Sequence, residues 1–423
     1  MNLTGRVLRR PRPELITSGC DAEQVPRVRL TLPAPAGPYP PGTVALHLRD
    51  YSRRNPWAAS PPYRELMVSI WYPAGEVARY PLSPQMPAGA AAHYGSPAGY
   101  GWLGYHVPPA TVDWAATVTS GHAGAPLAAR TERLPVVLYS PGGGEPRTWG
   151  TIVVQDLASR GYIVVTMDHT YEASEVEFPG GRVIGGTAFP ADEQQLRQFL
   201  THGDFAELAA KVVTARVADA RFVIDELAAL AAGRNPAARH RVLPAGPAGA
   251  MDMNRIGMFG VSAVGFTAMQ AMDEDRRITA GINIDGTVES PFLRDPMSIA
   301  PVFARGLDRP FLLMGDPRTN HHTVPSWKSL WRHSRGWHAD LTLNGASGEN
   351  SYKDAVWLIP QIARQIGLPE SFVTRAIGTV DPAAAVHAEQ AYLSAFFGRF
   401  LRDQDNHLLD SRPPRYLQVA FVE

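Results

Sequence analysis

The sequence predicts an α/β fold, with a mostly parallel, doubly wound sheet and helices on both of its faces. Two observations carry this prediction: buried apolar runs of strand length recur between residues 134 and 345, and segments with helical periodicity separate them. Strands that alternate with helices form parallel sheets, because each crossover helix packs back onto the sheet. Hydrophobic residues make up 45% and charged residues 19% of the 423-residue chain, which is ordinary for a globular enzyme.

Each element follows from its own pattern. Arg64–Ala74 alternates with a period of two and predicts a strand that ends near a proline. Further strands are predicted from short apolar runs: Leu134–Ser140, Tyr162–Asp168, Arg255–Gly260, Ile278–Asp285, Pro310–Gly315 and Ala339–Gly345. Helices are predicted at Trp149–Gly161, which ends on glycine, and after Asp381–Pro382, a cap followed by proline at the first helical position.

The chain divides into an extension and one domain. Residues 1–60 are rich in proline and arginine and predict an irregular N-terminal arm, and residues 61–423 predict a single α/β domain. Within it, residues 75–130 hold many Gly, Ala and Pro and predict a long loop excursion. Residues 170–250 predict an insertion with one long amphipathic helix, marked by apolar residues at spacings of four and three: Val213, Val217, Ala220, Ile224 and Leu227.

The composition excludes several classes of function. Forty basic residues balance forty acidic ones, so no net field favours nucleic acid or anionic membrane. The single cysteine, Cys20, excludes an internal disulfide and a multi-cysteine metal site. No apolar run reaches the length of a membrane span or a signal peptide. We therefore expect a cytoplasmic protein that acts on a small molecule without metal or cofactor; the composition does not predict its oligomeric state.

Polar side chains gather where the predicted strands end, which is where such sheets bind ligands. Ser262 follows one strand and precedes a helix, with Gly260 two residues before it, as in the first half of a G-x-S-x-G nucleophile elbow. Taken alone, a serine at this position is more often a helix cap. Asp285 ends the next strand, where an acid that orients a catalytic base can lie.

A glycine-rich segment after an earlier strand adds to this interpretation. Ser140 to Gly144 read SPGGG, and the three glycines let backbone N–H groups approach a ligand closely. Together with the N–H of Ala263, such a loop can form an oxyanion hole. A nucleotide-phosphate loop is disfavoured, because neither G-K-[ST] nor G-x-G-x-x-G with an acidic ribose anchor is present.

These segments resemble one known family. LPVVLYSPGGGEPR, DLASRGYIVVTMDH, NRIGMFGVSAVG, AGINIDGT and AYLSAFFGRFL, together with further matches between about Leu32 and Leu401, occur in the order found in bacterial platelet-activating-factor acetylhydrolase-like α/β-hydrolases. The resemblance implies the α/β-hydrolase fold and an esterase or lipase-like activity. It implies that Ser262 is the nucleophile, Asp285 the triad acid, and Gly143 and Ala263 the oxyanion-hole donors.

The sequence departs from this family at the catalytic histidine. The elbow reads G-V-S-A-V-G instead of roughly G-H-S-F-G-G, and the segment that should carry the histidine reads GASGENSYKD. Alignment on Ser351 and Asp354 puts Glu349 in the histidine position, or Gly348 if the insertion lies later. A glutamate is a weaker base than histidine unless its pKa is raised, which a second carboxylate at Asp285 can cause.

Three histidines at or near strand ends are candidate substitutes: His169, His321 and His322. Such a histidine is more often a hydrogen-bonded wall residue than a displaced base. A metal site at the adjacent His321 and His322 is disfavoured, because no H-E-x-x-H motif is present.

Three functions remain open. The first is a serine hydrolase for an ester, lactone or amide, with the triad Ser262, Asp285 and Glu349. The second is a non-hydrolytic cyclase, lyase or isomerase of natural-product biosynthesis, in which Glu349 and Asp285 share a proton and act as acid and base. The third is a catalytically inactive binding protein on the same fold.

Overall fold

The computed structural model describes residues 27–129, 132–189, 205–238, 241–289, 295–410 and 414–423. Cys20 and the first part of the predicted arm lie outside these ranges. The strands of the described residues are β1 (Pro41–Arg54), β2 (Tyr63–Pro73), β3 (Leu82–Pro84), β4 (Val118–Ala123), β5 (Leu134–Ser140), β6 (Ile163–Asp168), β7 (Glu175–Phe178), β8 (Arg182–Gly185), β9 (Met251–Val261), β10 (Ile278–Ile284), β11 (Phe311–Gly315), β12 (His338–Leu343) and β13 (Val419–Phe421).

The α-helices of the described residues are α1 (Ala88–Tyr94), α2 (Tyr100–Leu103), α3 (Thr151–Ser159), α4 (Phe205–Ala231), α5 (Pro247–Ala250), α6 (Thr267–Glu274), α7 (Val302–Arg305), α8 (Pro325–His333), α9 (Ala355–Ile366), α10 (Glu370–Ile377) and α11 (Pro382–Arg402). As the sequence predicts, Asp381 caps α11: its Oδ1 accepts the N–H of Ala384 at 2.8 Å. None of the described helices has the length and apolar character needed to cross a lipid bilayer.

The central sheet brings the predicted strand ends together. Its order in the described residues is β13-β12-β11-β10-β9-β5-β6-β2-β1-β4-β3, and β7 and β8 form a separate hairpin. Neighbours within the run β12 to β6 are parallel. The carboxyl ends of β12, β11, β10, β9 and β5 therefore meet at one edge of the sheet, in that spatial order.

Helices cover both faces of this sheet. One hydrophobic cluster packs α4, α6, α7 and α8 against one face, and a second packs α3 and α11 against the other. Strands such as β5 and β6 are buried at every residue, as expected for parallel strands covered on both sides. The predicted fold class is confirmed.

Two expectations about irregular segments are wrong. Within the predicted arm, Pro41–Arg54 is strand β1, paired antiparallel with β2. Val44, Leu46 and Leu48 alternate along it and are buried in the core, so burial of one face outweighs the proline- and arginine-rich context. Within the predicted loop 75–130, β4 joins the sheet beside β1, and β3 forms its edge.

Candidate active site

Ser262 lies in the tight turn between strand β9 and helix α6. Its backbone φ is 74°, in the left-handed region that residues with a Cβ rarely occupy. Strained backbone of this kind is common at active sites, where it fixes the direction of a side chain. This turn has the form of a nucleophile elbow.

Two glycines, Gly260 and Gly265, make the turn possible, although Val264 stands where G-x-S-x-G has its second glycine. A Cβ on Gly260 would lie 2.6 Å from the carbonyl oxygen of Gly265, and a Cβ on Gly265 would lie 2.9 Å from that of Gly260. Both distances are shorter than real Cβ contacts, so the backbones approach too closely for any side chain. The departure at Val264 therefore leaves the close contact between Gly260 and Gly265 in place.

The glycine loop after β5 lies directly against the serine. A Cβ on Gly142 would be 2.9 Å from the Cβ of Ser262, and the N–H of Gly142 donates to Glu145 Oε2 at 3.1 Å. Gly143 is the next residue of this loop, and Ala263 directly follows the serine. The two predicted oxyanion donors are thus on the two segments that meet at Ser262; their role stays a prediction.

The 3₁₀ turn after β12 presents Glu349, and not Gly348, to the serine. Ser262 Oγ donates to Glu349 Oε1 at 3.5 Å, the outer limit of a hydrogen bond. Such contacts are often long without substrate and shorten in the reacting complex. Gly348 lies beside Asp285 instead, since a Cβ there would be 3.5 Å from Asp285 Oδ2. Of the two candidates for the histidine position, Glu349 is the one within reach of Ser262.

Asp285 and Glu349 interact with each other, and their pKa values move in opposite directions. Burial raises the pKa of Asp285 to about 7, and the charges of Glu349 and Asp316 add to this effect. Burial also acts to raise the pKa of Glu349, but the charge of Lys353, a backbone N–H and a hydrogen bond from Asp285 lower it overall. Near neutral pH the pair therefore holds one ionised carboxylate, Glu349, and one carboxyl group that is partly protonated, Asp285.

Comparisons with known proteins point to one family. The family model "Platelet-activating factor acetylhydrolase, isoform II" matches residues 113–289. A ferulic acid esterase from Streptomyces cinnamoneus is 34% identical, with a TM-score of 0.69 over 93% of this chain and 99% of that one. The chain belongs to the platelet-activating-factor acetylhydrolase-like branch of the α/β-hydrolases. A probable 1-alkyl-2-acetylglycerophosphocholine esterase from Arthroderma benhamiae is 26% identical over 403 residues, 93% of this chain and 94% of that protein. The branch is of the esterase type.

His169, the first candidate substitute for a catalytic histidine, has hydrogen-bond partners other than Ser262. Its Nε2 lies 2.9 Å from Ser140 Oγ, and its Nδ1 lies 3.0 Å from Asp219 Oδ2, so both ring nitrogens have partners. Burial, helped by the charge of Arg216, lowers the pKa of His169 to about 4. It is a buried, neutral residue beneath the glycine loop, where the carbonyl oxygens of Pro141 and Gly142 accept from Arg216.

His321 and His322 also have other partners. The Nδ1 of His321 lies 2.8 Å from Asp340 Oδ2, and its ring stacks on Trp331 with centroids 3.9 Å apart. The Nε2 of His322 lies 2.6 Å from the carbonyl oxygen of Glu423. The three candidate substitute histidines are therefore held by groups other than Ser262.

Three charged residues of the site did not emerge from the sequence. Asp316 follows β11 and accepts the N–H of Gly348 at 3.1 Å. Lys353 and Glu145 form a buried ion pair with 2.7 Å between Nζ and Oε1. The sequence does carry a signal for Asp316, because this residue lies at the end of a predicted strand, as Asp285 does. No sequence pattern indicates the pairing of Lys353 with Glu145, because the two residues are 208 positions apart.

Asp285→Asn is expected to change the pH dependence of stability. The folded chain holds a proton on Asp285 up to about pH 7, whereas the unfolded chain releases it near 3.8. The stability contributed by this proton is complete below pH 3.8 and is lost as the pH rises through about 7. Asn does not titrate, so the variant avoids this loss, which is worth at most about 4 kcal/mol.

Urea unfolding of both proteins at pH 5 and pH 8 tests this expectation. The wild type should lose more free energy of unfolding between the two pH values than the variant does. An identical loss in both would show that Asp285 ionises normally in the folded chain.

Proposed function

We propose that this chain is a serine esterase in which Glu349 takes the place of the family histidine. Ser262 is the nucleophile, Glu349 the general base, and Asp285 the partner that sets the basicity of Glu349. The observation that carries this proposal is the contact from Ser262 Oγ to Glu349 Oε1 at 3.5 Å, made by a serine in a strained elbow.

The steps balance without a cofactor. Ser262 Oγ attacks the ester carbonyl while its proton passes to Glu349, and the N–H groups of Gly143 and Ala263 bind the oxyanion. The tetrahedral intermediate expels the alcohol, which takes the proton from Glu349. Water then attacks the acyl-enzyme, again giving a proton to Glu349, and the acid leaves as Ser262 recovers its proton. Glu349 is ionised at neutral pH, so it begins in the state that accepts a proton.

The proposed substrate is a carboxylic ester of small or medium size with an apolar or aromatic group near the carbonyl. Both relatives are named as esterases that act on carboxylic esters. Two aromatic rings flank the glycine loop: a Cβ on Gly144 would be 2.6 Å from the Tyr100 ring, and one on Gly143 would be 3.6 Å from the Phe189 ring. Rings at this position favour a flat or apolar group beside the reacting carbonyl.

A non-hydrolytic acid–base enzyme is the second candidate. The observation that favours it is the Asp285–Glu349 pair, which holds a proton that can be donated as well as a carboxylate that can accept one. A cyclisation or elimination needs these two functions and no nucleophile.

The fate of water separates the two candidates. The protein is incubated with p-nitrophenyl acetate or methyl ferulate in H₂¹⁸O, and the acid product is analysed by mass spectrometry. An esterase places one ¹⁸O in the carboxylate of the product. Two results would contradict the proposal and favour the second candidate. One is that neither ester is turned over; the other is that the amount of ¹⁸O-labelled acid does not exceed the amount formed in a control without enzyme.

A further inference from the structure

The ammonium group of Lys353 is buried between two glutamates of the site. Its Nζ lies 2.7 Å from Glu145 Oε1 and 3.7 Å from Glu349 Oε1, and the Lys353 side chain is only 2% exposed. A buried ammonium is costly unless it is paired and hydrogen-bonded. Because Glu145 makes the shorter contact, Lys353 is anchored there and presents its charge to Glu349.

Glu145 is itself held firmly. Its Oε1 also accepts the hydroxyl of Tyr105 at 2.8 Å, and its Oε2 accepts the N–H of Gly142 at 3.1 Å. Tyr105 in turn accepts the indole N–H of Trp149 at 2.6 Å. Gly142 belongs to the glycine loop that lies against Ser262. The chain of contacts therefore runs from the proposed base, through one lysine and one glutamate, to the proposed oxyanion loop.

The cation stabilises the ionised form of Glu349 among other carboxylates. Glu349 lies beside Asp285, and Asp316 adds a third carboxylate nearby. Like charges this close favour uptake of a proton, and a protonated Glu349 cannot accept the proton of Ser262. The contact with Lys353 opposes protonation of Glu349. It also holds the Glu349 carboxylate on the side that faces Ser262.

We propose that Lys353 is a positioning residue for the ester hydrolysis: it keeps Glu349 charged and directed at Ser262, and it connects Glu349 through Glu145 to the glycine loop. This inference rests on the proposed function.

The inference predicts a shift in the pH dependence of turnover. The titratable groups that interact with Glu349 or with Asp285 are Asp316, Arg318, Tyr100, Tyr352, Lys353 and, through Lys353, Glu145. Of these, Lys353 is the cation in contact with Glu349, and its charge lowers the pKa values of both Glu349 and Asp285. Without that charge both carboxyl groups ionise at higher pH, so the acid limb of kcat/KM moves upward.

The experiment compares Lys353→Met and Lys353→Arg with the wild type in p-nitrophenyl acetate hydrolysis between pH 4 and 9. We expect Lys353→Met to show an acid limb about one pH unit higher, so that its kcat/KM falls by up to about tenfold relative to the wild type at the acid end of this range and approaches the wild-type value at its alkaline end. Lys353→Arg keeps the charge and should retain an acid limb near that of the wild type. Lys328→Met, an exposed lysine of α8, is the control and should match the wild type.

A fold effect is separated by a second variant. Lys353→Met leaves Glu145 buried without its cation. The double variant, Lys353→Met with Glu145→Gln, removes both charges and should have a higher free energy of unfolding than Lys353→Met alone. Its acid limb should be shifted in the same direction. An unshifted acid limb in both variants, or an equal loss at every pH, would overturn the inference.

Glu349→Gln distinguishes a failure of this inference from a failure of the proposed function. If Glu349→Gln retains full activity, the proposed function fails. If Glu349→Gln is inactive while Lys353→Met keeps the wild-type pH profile, the role of Lys353 alone is refuted.

Discussion

Ser262→Ala is expected to lower kcat/KM for ester hydrolysis by about 10³-fold or more. The change removes the atom that forms the acyl-enzyme, and no neighbouring group in the described residues offers a second hydroxyl in the elbow. The left-handed backbone of Ser262 (φ 74°) is equally demanding for alanine and serine, so the fold should be preserved. The measurement is steady-state hydrolysis of p-nitrophenyl acetate, with the melting temperature as the check on folding.

Ser329→Ala is the matched control, because Ser329 lies on α8 outside the site. It should behave as the wild type does. Retained turnover in Ser262→Ala would show that Ser262 is not the nucleophile. Acid–base chemistry by Asp285 and Glu349 would then be the alternative.

Glu349→Gln is expected to lower kcat by about 10²- to 10⁴-fold, the range attributed to general-base catalysis. Glutamine keeps the shape of glutamate but does not accept the proton of Ser262. Lys353 keeps its 2.7 Å contact with Glu145, so this variant leaves no buried cation without a partner. The effect should therefore fall on kcat and not on the free energy of unfolding.

Glu370→Gln, an exposed glutamate at the start of α10, is the control for this variant. The relative activities of Ser262→Ala and Glu349→Gln distinguish the two candidate functions. Loss of activity in both supports the esterase. Activity that survives Ser262→Ala but not Glu349→Gln would favour the non-hydrolytic enzyme, and the reverse would mean that another group activates the serine.

Much of the sheet could be predicted from the sequence, because each buried parallel strand is a short apolar run. Leu134–Ser140 is predicted and observed with the same bounds. Strand β1 was missed because its alternation of apolar residues lies within a segment rich in proline and arginine. Strand β13 was missed because it has only three residues, too few for a periodic pattern.

The candidate site could be predicted where strand ends carry it. Ser262 and Asp285 directly follow β9 and β10, so the topology alone brings them together. The choice between Glu349 and Gly348 needed the path of the backbone after β12. The roles of the histidines depend on their hydrogen-bond partners, such as Asp219 for His169. That partner is 50 residues away, so no local pattern in the sequence reveals it.

Activation of Ser262 by Glu349 can be measured directly as the rate at which a fluorophosphonate labels the serine. Intact-mass spectrometry follows the adduct in the wild type, in Glu349→Gln and in Ser262→Ala at pH 7.5. We expect one adduct in the wild type, none in Ser262→Ala, and labelling about 10²-fold slower in Glu349→Gln. Equal labelling rates in the wild type and Glu349→Gln, or no adduct on the folded wild-type protein, would contradict activation of Ser262 by Glu349.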